Sequence, residues 1–140
     1  MSEAAVLVDS NVILDVITDD PAWGGWASET LAETSRAFTL AINPVIYAEI
    51  SIRFQTIEEL EEMLPVNFFD RRAIPYEAAF LAGKCFMRYK RLGGTRSSTL
   101  PDFLIGAHAA VSEMTLLTRD ASRYRTYFPR LGLICPEKPR

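Results

Sequence analysis

Short β-branched runs alternating with helix signals predict an α/β protein: a three-layer α/β/α sandwich around a central, mainly parallel sheet of four to five strands. Two more observations fit that class. The 140 residues, 49% hydrophobic and 24% charged, suit one globular domain spanning 1–140 with a sizeable core. Four acidic residues also fall where apolar runs break: Asp9, Glu49, Asp102 and Asp120. In an open α/β sheet, ligands bind outside the carboxyl ends of the strands.

In chain order, Ala4 to Val8 reads as the first strand, and Asp9-Ser10-Asn11 as a strand-to-helix turn built from capping residue types. Val12, Ile13, Val16 and Ile17 then form a helical apolar stripe that stops at Asp19-Asp20-Pro21. A second helix is expected from about Trp23 to Arg36, and a strand from Phe38 to Ile42. Asn43-Pro44 starts the next helix as cap and first-turn proline, which places Glu49 in its second turn. Thr56 with Glu59 resembles a capping box opening a short acidic helix that ends near Leu64. Val66 to Phe69 is read as the third strand. Tyr76 to Leu92 is a helix closed by basic residues and Gly93-Gly94. A polar loop follows to Thr99. Pro101 starts a helix whose apolar residues cover most of its circumference, so it is expected to be buried. Thr115 to Thr118 is the fourth strand, Ala121 to Phe128 the last helix, and Leu131 to Cys135 an edge strand.

Composition excludes several function classes. No uncharged apolar stretch is long enough to suggest a membrane span, and Met1-Ser2-Glu3 lacks the basic start of a signal peptide, so a cytoplasmic protein is expected. Cys85 and Cys135 do not make a disulfide framework, and one histidine without a cysteine cluster leaves no ordinary zinc site. The net charge of −3 hides an asymmetry: residues 1–70 carry −11 and residues 71–140 carry +8. Such a distribution hints at a polyanion partner, although each basic segment taken alone reads first as a solvated helix face. No Walker loop, dinucleotide fingerprint or nucleophile elbow is present, and His108 alone cannot run a two-imidazole ribonuclease.

Each acid has a structural explanation. Asp9 and Asp120 could cap helices, Asp102 could favour the positive end of its own helix, and Glu49 could face water. Convergence points the other way, because three of the four occupy element starts where the carboxyl ends of the sheet should lie. Two carboxylates 4 Å apart repel by roughly 4 kcal/mol at an effective dielectric of 20, so a cluster calls for a cation. Carboxylate oxygens suit Mg²⁺ or Mn²⁺, which can orient a water and stabilise charge on a phosphodiester.

The segments Val8-Asp9-Ser10-Asn11-Val12, the helix with Glu49, Leu100-Pro101-Asp102-Phe103-Leu104-Ile105-Gly106-Ala107-His108-Ala109 and Leu117-Thr118-Arg119-Asp120 occur in an order that resembles a PIN domain of the VapC toxin branch. The resemblance covers essentially the whole chain. It implies a metal-dependent endoribonuclease that cuts structured cellular RNA such as tRNA or rRNA to inhibit translation. A cognate antitoxin and a homodimer come with it. Carried over by position, Asp9, Glu49, Asp102 and Asp120 would be catalytic and bind Mg²⁺ or Mn²⁺, supported by Asn11 and Thr118. Arg96, in the loop before Asp102, is the first candidate for phosphate contact, followed by Arg119 and Arg123. Alternatives are a PIN-like module that binds RNA or protein without cutting, and a metal-dependent DNA nuclease.

Overall fold

A computed structural model of the chain describes residues 4–95 and 99–137. Five parallel strands form one sheet in the order β3-β2-β1-β4-β5. Strand β1 (Ala5–Val8) leads to α1 (Ser10–Ile17) and α2 (Gly24–Ala37), and β2 (Thr39–Ile42) leads to α3 (Pro44–Ser51) and α4 (Ile57–Met63). Edge strand β3 (Phe69–Arg71) is followed by α5 (Tyr76–Arg91) and α6 (Leu100–Val111), then β4 (Thr115–Leu117), α7 (Ser122–Tyr127) and β5 (Leu133–Ile134). Val6, Leu7 and Val8 are all buried, as are Leu40, Ala41 and Ile42. Successive strand side chains point to opposite faces, so both faces of the sheet centre are covered by helices.

This strand order creates the site. From β1 the chain steps outward through β2 to β3, then returns past β1 to β4 and β5. The connections leaving β1 and β4 therefore diverge, and a crevice opens outside their carboxyl ends. Residue Asp9 follows β1, and Thr118 to Asp120 follow β4.

Most predicted elements are present, with boundaries moved by a residue or two. The exception is the third strand, which the sequence puts at Val66 to Phe69 and the structure at Phe69–Arg71. Both Phe68 and Phe69 donate their backbone N–H to the carbonyl of Pro65, so this stretch is a turn, with Val66 and Phe68 exposed. Charged residues in β3 suit an edge, where they discourage further pairing. Asn43 caps α3 through the amide of Ile46, and Thr56 caps α4 through that of Glu59. At the end of α5, Gly93 adopts φ 91°, and its N–H and that of Gly94 take the carbonyls of Lys90 and Tyr89.

Helix α6 is buried as expected, and Gly106 shows why it must be slim. A methyl group there would collide with the ring of Phe128 and stand 3.0 Å from that of Tyr124. Glycine thus lets α7 settle onto α6 and brings Tyr124 under the crevice.

Candidate active site

Asp9, Ser10, Asn11, Glu49, Asp102, Asp120, Arg123 and Tyr124 line one cavity of about 200 Å³ at the carboxyl end of β1. The four acids singled out by sequence therefore meet, although they come from the β1–α1 turn, α3, α6 and the β4–α7 loop.

Asp9 is the deepest, at 4% exposure. It occupies the N-cap position of α1 but makes no side-chain cap hydrogen bond, which removes the structural explanation for an aspartate here. Its Oδ2 instead accepts from the hydroxyls of Thr118 (2.8 Å) and Tyr124 (2.9 Å). Among the described residues its Oδ1 has only the Ser10 hydroxyl at 3.5 Å, and that hydroxyl is better aimed at Glu49 Oε1, 2.7 Å away. Burial pushes the Asp9 carboxyl from 3.8 up to about 6; the two hydroxyl donors pull it back, while the charges of Asp102 and Glu49 add to the rise. Burial also raises Glu49 and Asp102, with a further push on Glu49 from Asp102 and on Asp102 from Asp120. The carboxylates feel one another, as a clustered site requires.

Asn11 and Thr118 connect the two sides of the crevice. The Asn11 amide lies 3.4 Å from Thr118 Oγ1 and accepts the backbone N–H of Arg119 at 3.2 Å, while Thr118 Oγ1 also accepts the N–H of Asp120 at 3.2 Å. Asp120 itself is exposed at the rim.

The two predicted cations among the described residues separate. Arg123 donates to Asp102 Oδ2 at 2.7 Å and lies over the Tyr89 ring, at the cavity wall. Arg119 turns to α1, where its Nη2 donates to Asp15 Oδ1 at 3.2 Å, its Nε lies 2.8 Å from Oδ2 as an ion-pair contact without hydrogen-bond geometry, and its guanidinium lies over Trp23. The third, Arg96, lies outside the described residues. His108 is buried, with Nδ1 3.0 Å from the amide of Asn43, and burial lowers its pKa; it is a packed residue.

Sequence reasoning missed Ser10 and Tyr124 as site residues. Ser10 stood between two residues already singled out. For Tyr124 the available signal was an aromatic hydroxyl in a short amphipathic helix, since a buried tyrosine needs a polar partner.

The PIN-domain family model matches residues 6–129. The chain belongs to the PIN-domain family. Solved structures similar to this PIN domain include VapBC2 from Rickettsia felis bound to a promoter DNA fragment, with 18% identity, TM-score 0.73, and 95% of this chain and 99% of that chain covered. VapBC-1 from nontypeable Haemophilus influenzae gives 17% identity and TM-score 0.71, covering 94% and 97%. A toxin-antitoxin complex from Klebsiella pneumoniae gives 19% identity and TM-score 0.67, covering 96% and 99%. No curated protein sequence matches the chain. The fold of this PIN domain is thus that of the VapC-type structures, and among the described residues no helix is long and apolar enough to cross a membrane.

Among the described residues, the cavity lining offers the PIN domain only oxygen donors apart from the Arg123 guanidinium: four carboxylates, two hydroxyls and a side-chain amide. That set matches a hard divalent cation and not zinc. Among the described residues no three side chains are already drawn together as a ligand group, and Asp102 is engaged by Arg123. The fit therefore rests on the donor chemistry, the mutual repulsion and the sparsely satisfied Oδ1 of Asp9.

Proposed function

We propose that this PIN domain is a Mg²⁺- or Mn²⁺-dependent endoribonuclease, the toxin of a toxin-antitoxin pair, which hydrolyses phosphodiester bonds of structured cellular RNA such as tRNA or rRNA. The family and fold imply nuclease activity in general. The observation that carries the finer reading is that Asp9, Glu49, Asp102 and Asp120, from four separate elements, open on one cavity at the switch point of the sheet.

Asp9, Glu49, Asp102 and Asp120 would hold the cation. When bound, it neutralises the carboxylates and stabilises charge at the scissile phosphate. Thr118 and Tyr124 fix Asp9 through Oδ2, so that Oδ1 is the oxygen Asp9 presents. Ser10 orients Glu49 by its 2.7 Å hydrogen bond. Arg119 is committed to Asp15, so Arg123 is the described cation that can reach a phosphate at the cavity. Single-stranded or looped RNA suits a narrow cleft, because its backbone is free to bend into it.

An antitoxin partner is supported by the names of the neighbours, which are VapBC and toxin-antitoxin complexes. Exposed Tyr76 and Phe80, four residues apart on α5, offer apolar surface for a partner or for the proposed homodimer. A cytoplasmic location accords with RNA as substrate.

The test is cleavage of total cellular RNA, and of DNA in parallel, by the purified protein with Mg²⁺, with Mn²⁺ and with chelator, alongside Asp9→Asn. Discrete metal-dependent RNA fragments that vanish in the variant are expected. Cleavage of DNA alone would replace the substrate, and no cleavage by the folded, antitoxin-free protein would favour a binding module.

A further inference from the structure

Arg123 stands in an unusual place for a cation. It lies in the first turn of α7, the end of a helix that favours anions, so helix stability does not account for it. Its guanidinium reaches across to α6, with Nη1 2.7 Å from Asp102 Oδ2 and the Tyr89 ring beneath it. Both partners remain partly open to solvent, at 27% and 35% side-chain exposure, so the pair can part without unfolding either helix. The arginine of the preceding β4–α7 loop differs. Arg119 is locked by two contacts to a buried aspartate, whereas Arg123 holds Asp102 through a single short contact at the cavity wall.

We propose that Arg123 is a tethered counter-ion of the acidic site, occupying Asp102 until a divalent cation displaces it and then free to take up the RNA phosphate. The inference rests on the reading of the four acids as a cation site. Neutralising Asp102 with a divalent cation removes most of what holds the guanidinium there. A phosphate entering the cavity restores an anionic partner, one that the guanidinium fork can grip with two donors. Cation loading and substrate capture are thereby coupled through one side chain that competes with the first and assists the second.

Two readouts of opposite sign separate this role from simple packing. Mn²⁺ is titrated calorimetrically, without RNA, into the metal-free wild type, Arg123→Gln, Arg123→Lys and Arg125→Gln. Arg125 is exposed on the same helix with its Nη2 on Cys135 Sγ, so its loss measures the general effect of removing one positive charge. Relative to Arg125→Gln, Arg123→Gln is expected to bind Mn²⁺ about tenfold more tightly. Its RNA cleavage at saturating Mn²⁺ should nevertheless fall by at least about tenfold, with a steeper loss at limiting RNA. Arg123→Lys, a cation without the fork, should lie between, and it decides the matter if thermal melting shows Arg123→Gln to be unfolded.

Mn²⁺ affinity no higher in Arg123→Gln than in Arg125→Gln overturns the counter-ion role while leaving the nuclease reading intact. Unchanged cleavage in Arg123→Gln overturns the phosphate half. Absence of Mn²⁺ binding in all four proteins overturns the cation site itself, and the inference with it.

Discussion

Two aspartates six residues apart, Asp9 and Asp15, are each at 4% exposure, and burial raises the pKa of both, yet they face different partners. Asp15 faces the Arg119 guanidinium, whose Nη2 donates to Oδ1 while Nε lies beside Oδ2 outside hydrogen-bond geometry, a pairing in which charge is matched by charge. Asp9 faces two neutral hydroxyls on one oxygen, a distant hydroxyl on the other and further carboxylates across the cavity. Burying a charge without an opposite charge is expensive, and folds retain such an arrangement where another partner completes it. The contrast marks Asp15 as structural and is the reason Asp9 is proposed as a cation ligand.

The sharpest way to break that contrast is to neutralise each aspartate. Asp9→Asn keeps the shape and can still accept from Thr118 or Tyr124, but it loses the charge proposed to hold a cation. Cleavage should fall by at least about a thousandfold, as for loss of a principal electrostatic group in an active site. Asp102→Asn should behave alike. In each case the circular dichroism spectrum should stay that of the wild type. Retained cleavage in both variants sinks the site assignment.

The second effect concerns stability without metal. Asp9 is raised to about 6 in the folded protein from 3.8. Between these values the folded state holds the proton that the unfolded state has released, so stability falls as pH rises through the window and the whole penalty is present above pH 6. A shift of about 2 units corresponds to about 3 kcal/mol. Metal-free wild type should therefore lose stability relative to Asp9→Asn between pH 4 and 7, with Glu49 and Asp102 contributing in the same direction. Denaturant midpoints of the two proteins that run parallel across this range would show that Asp9 carries no such burden.

Much of this contrast was legible in the chain, and some was not. The strands could be read from β-branched runs, and the acids from their position just beyond those runs or within the helices that follow, because strand ends and ligand sites coincide in parallel sheets. Strand β3 was misplaced because Val66 and Phe68 look like strand residues but belong to a turn set by Pro65. Asp15 gave no sign of its role: a carboxylate on a helix reads as solvated until tertiary packing brings Arg119 against it. For the same reason Arg119 looked like a free cation, and Tyr124 gave no hint that it would sit beneath Asp9.

A third experiment probes the other side. Arg119→Met keeps the apolar stem but leaves Asp15 buried without its counter-charge. Loss of one partner from a buried pair costs about 3–5 kcal/mol, and because the Arg119 side chain is itself about a third exposed, solvent screening discounts this to roughly 2–3 kcal/mol. The deficit should shrink in Asp15→Asn/Arg119→Met, where no orphaned charge remains. Equal losses in the single and double variants would mean that the guanidinium matters for its packing on Trp23 and not for Asp15.

The smallest effect tests how Asp9 tolerates its isolation. Tyr124→Phe removes one donor from Oδ2 and leaves the ring that packs against Gly106. A hydrogen bond to an ionised acceptor contributes about 1.5–3 kcal/mol and one between neutral groups about 1 kcal/mol. Above pH 7, where Asp9 is charged, Tyr124→Phe should therefore cost metal-free protein about 2 kcal/mol, falling to about 1 kcal/mol at pH 5. The pH dependence is the discriminating part, since a loss of packing alone would be the same at both. A constant deficit would mean that the hydroxyl serves the fold and not the carboxylate, and that Thr118 alone supports the charged form of Asp9.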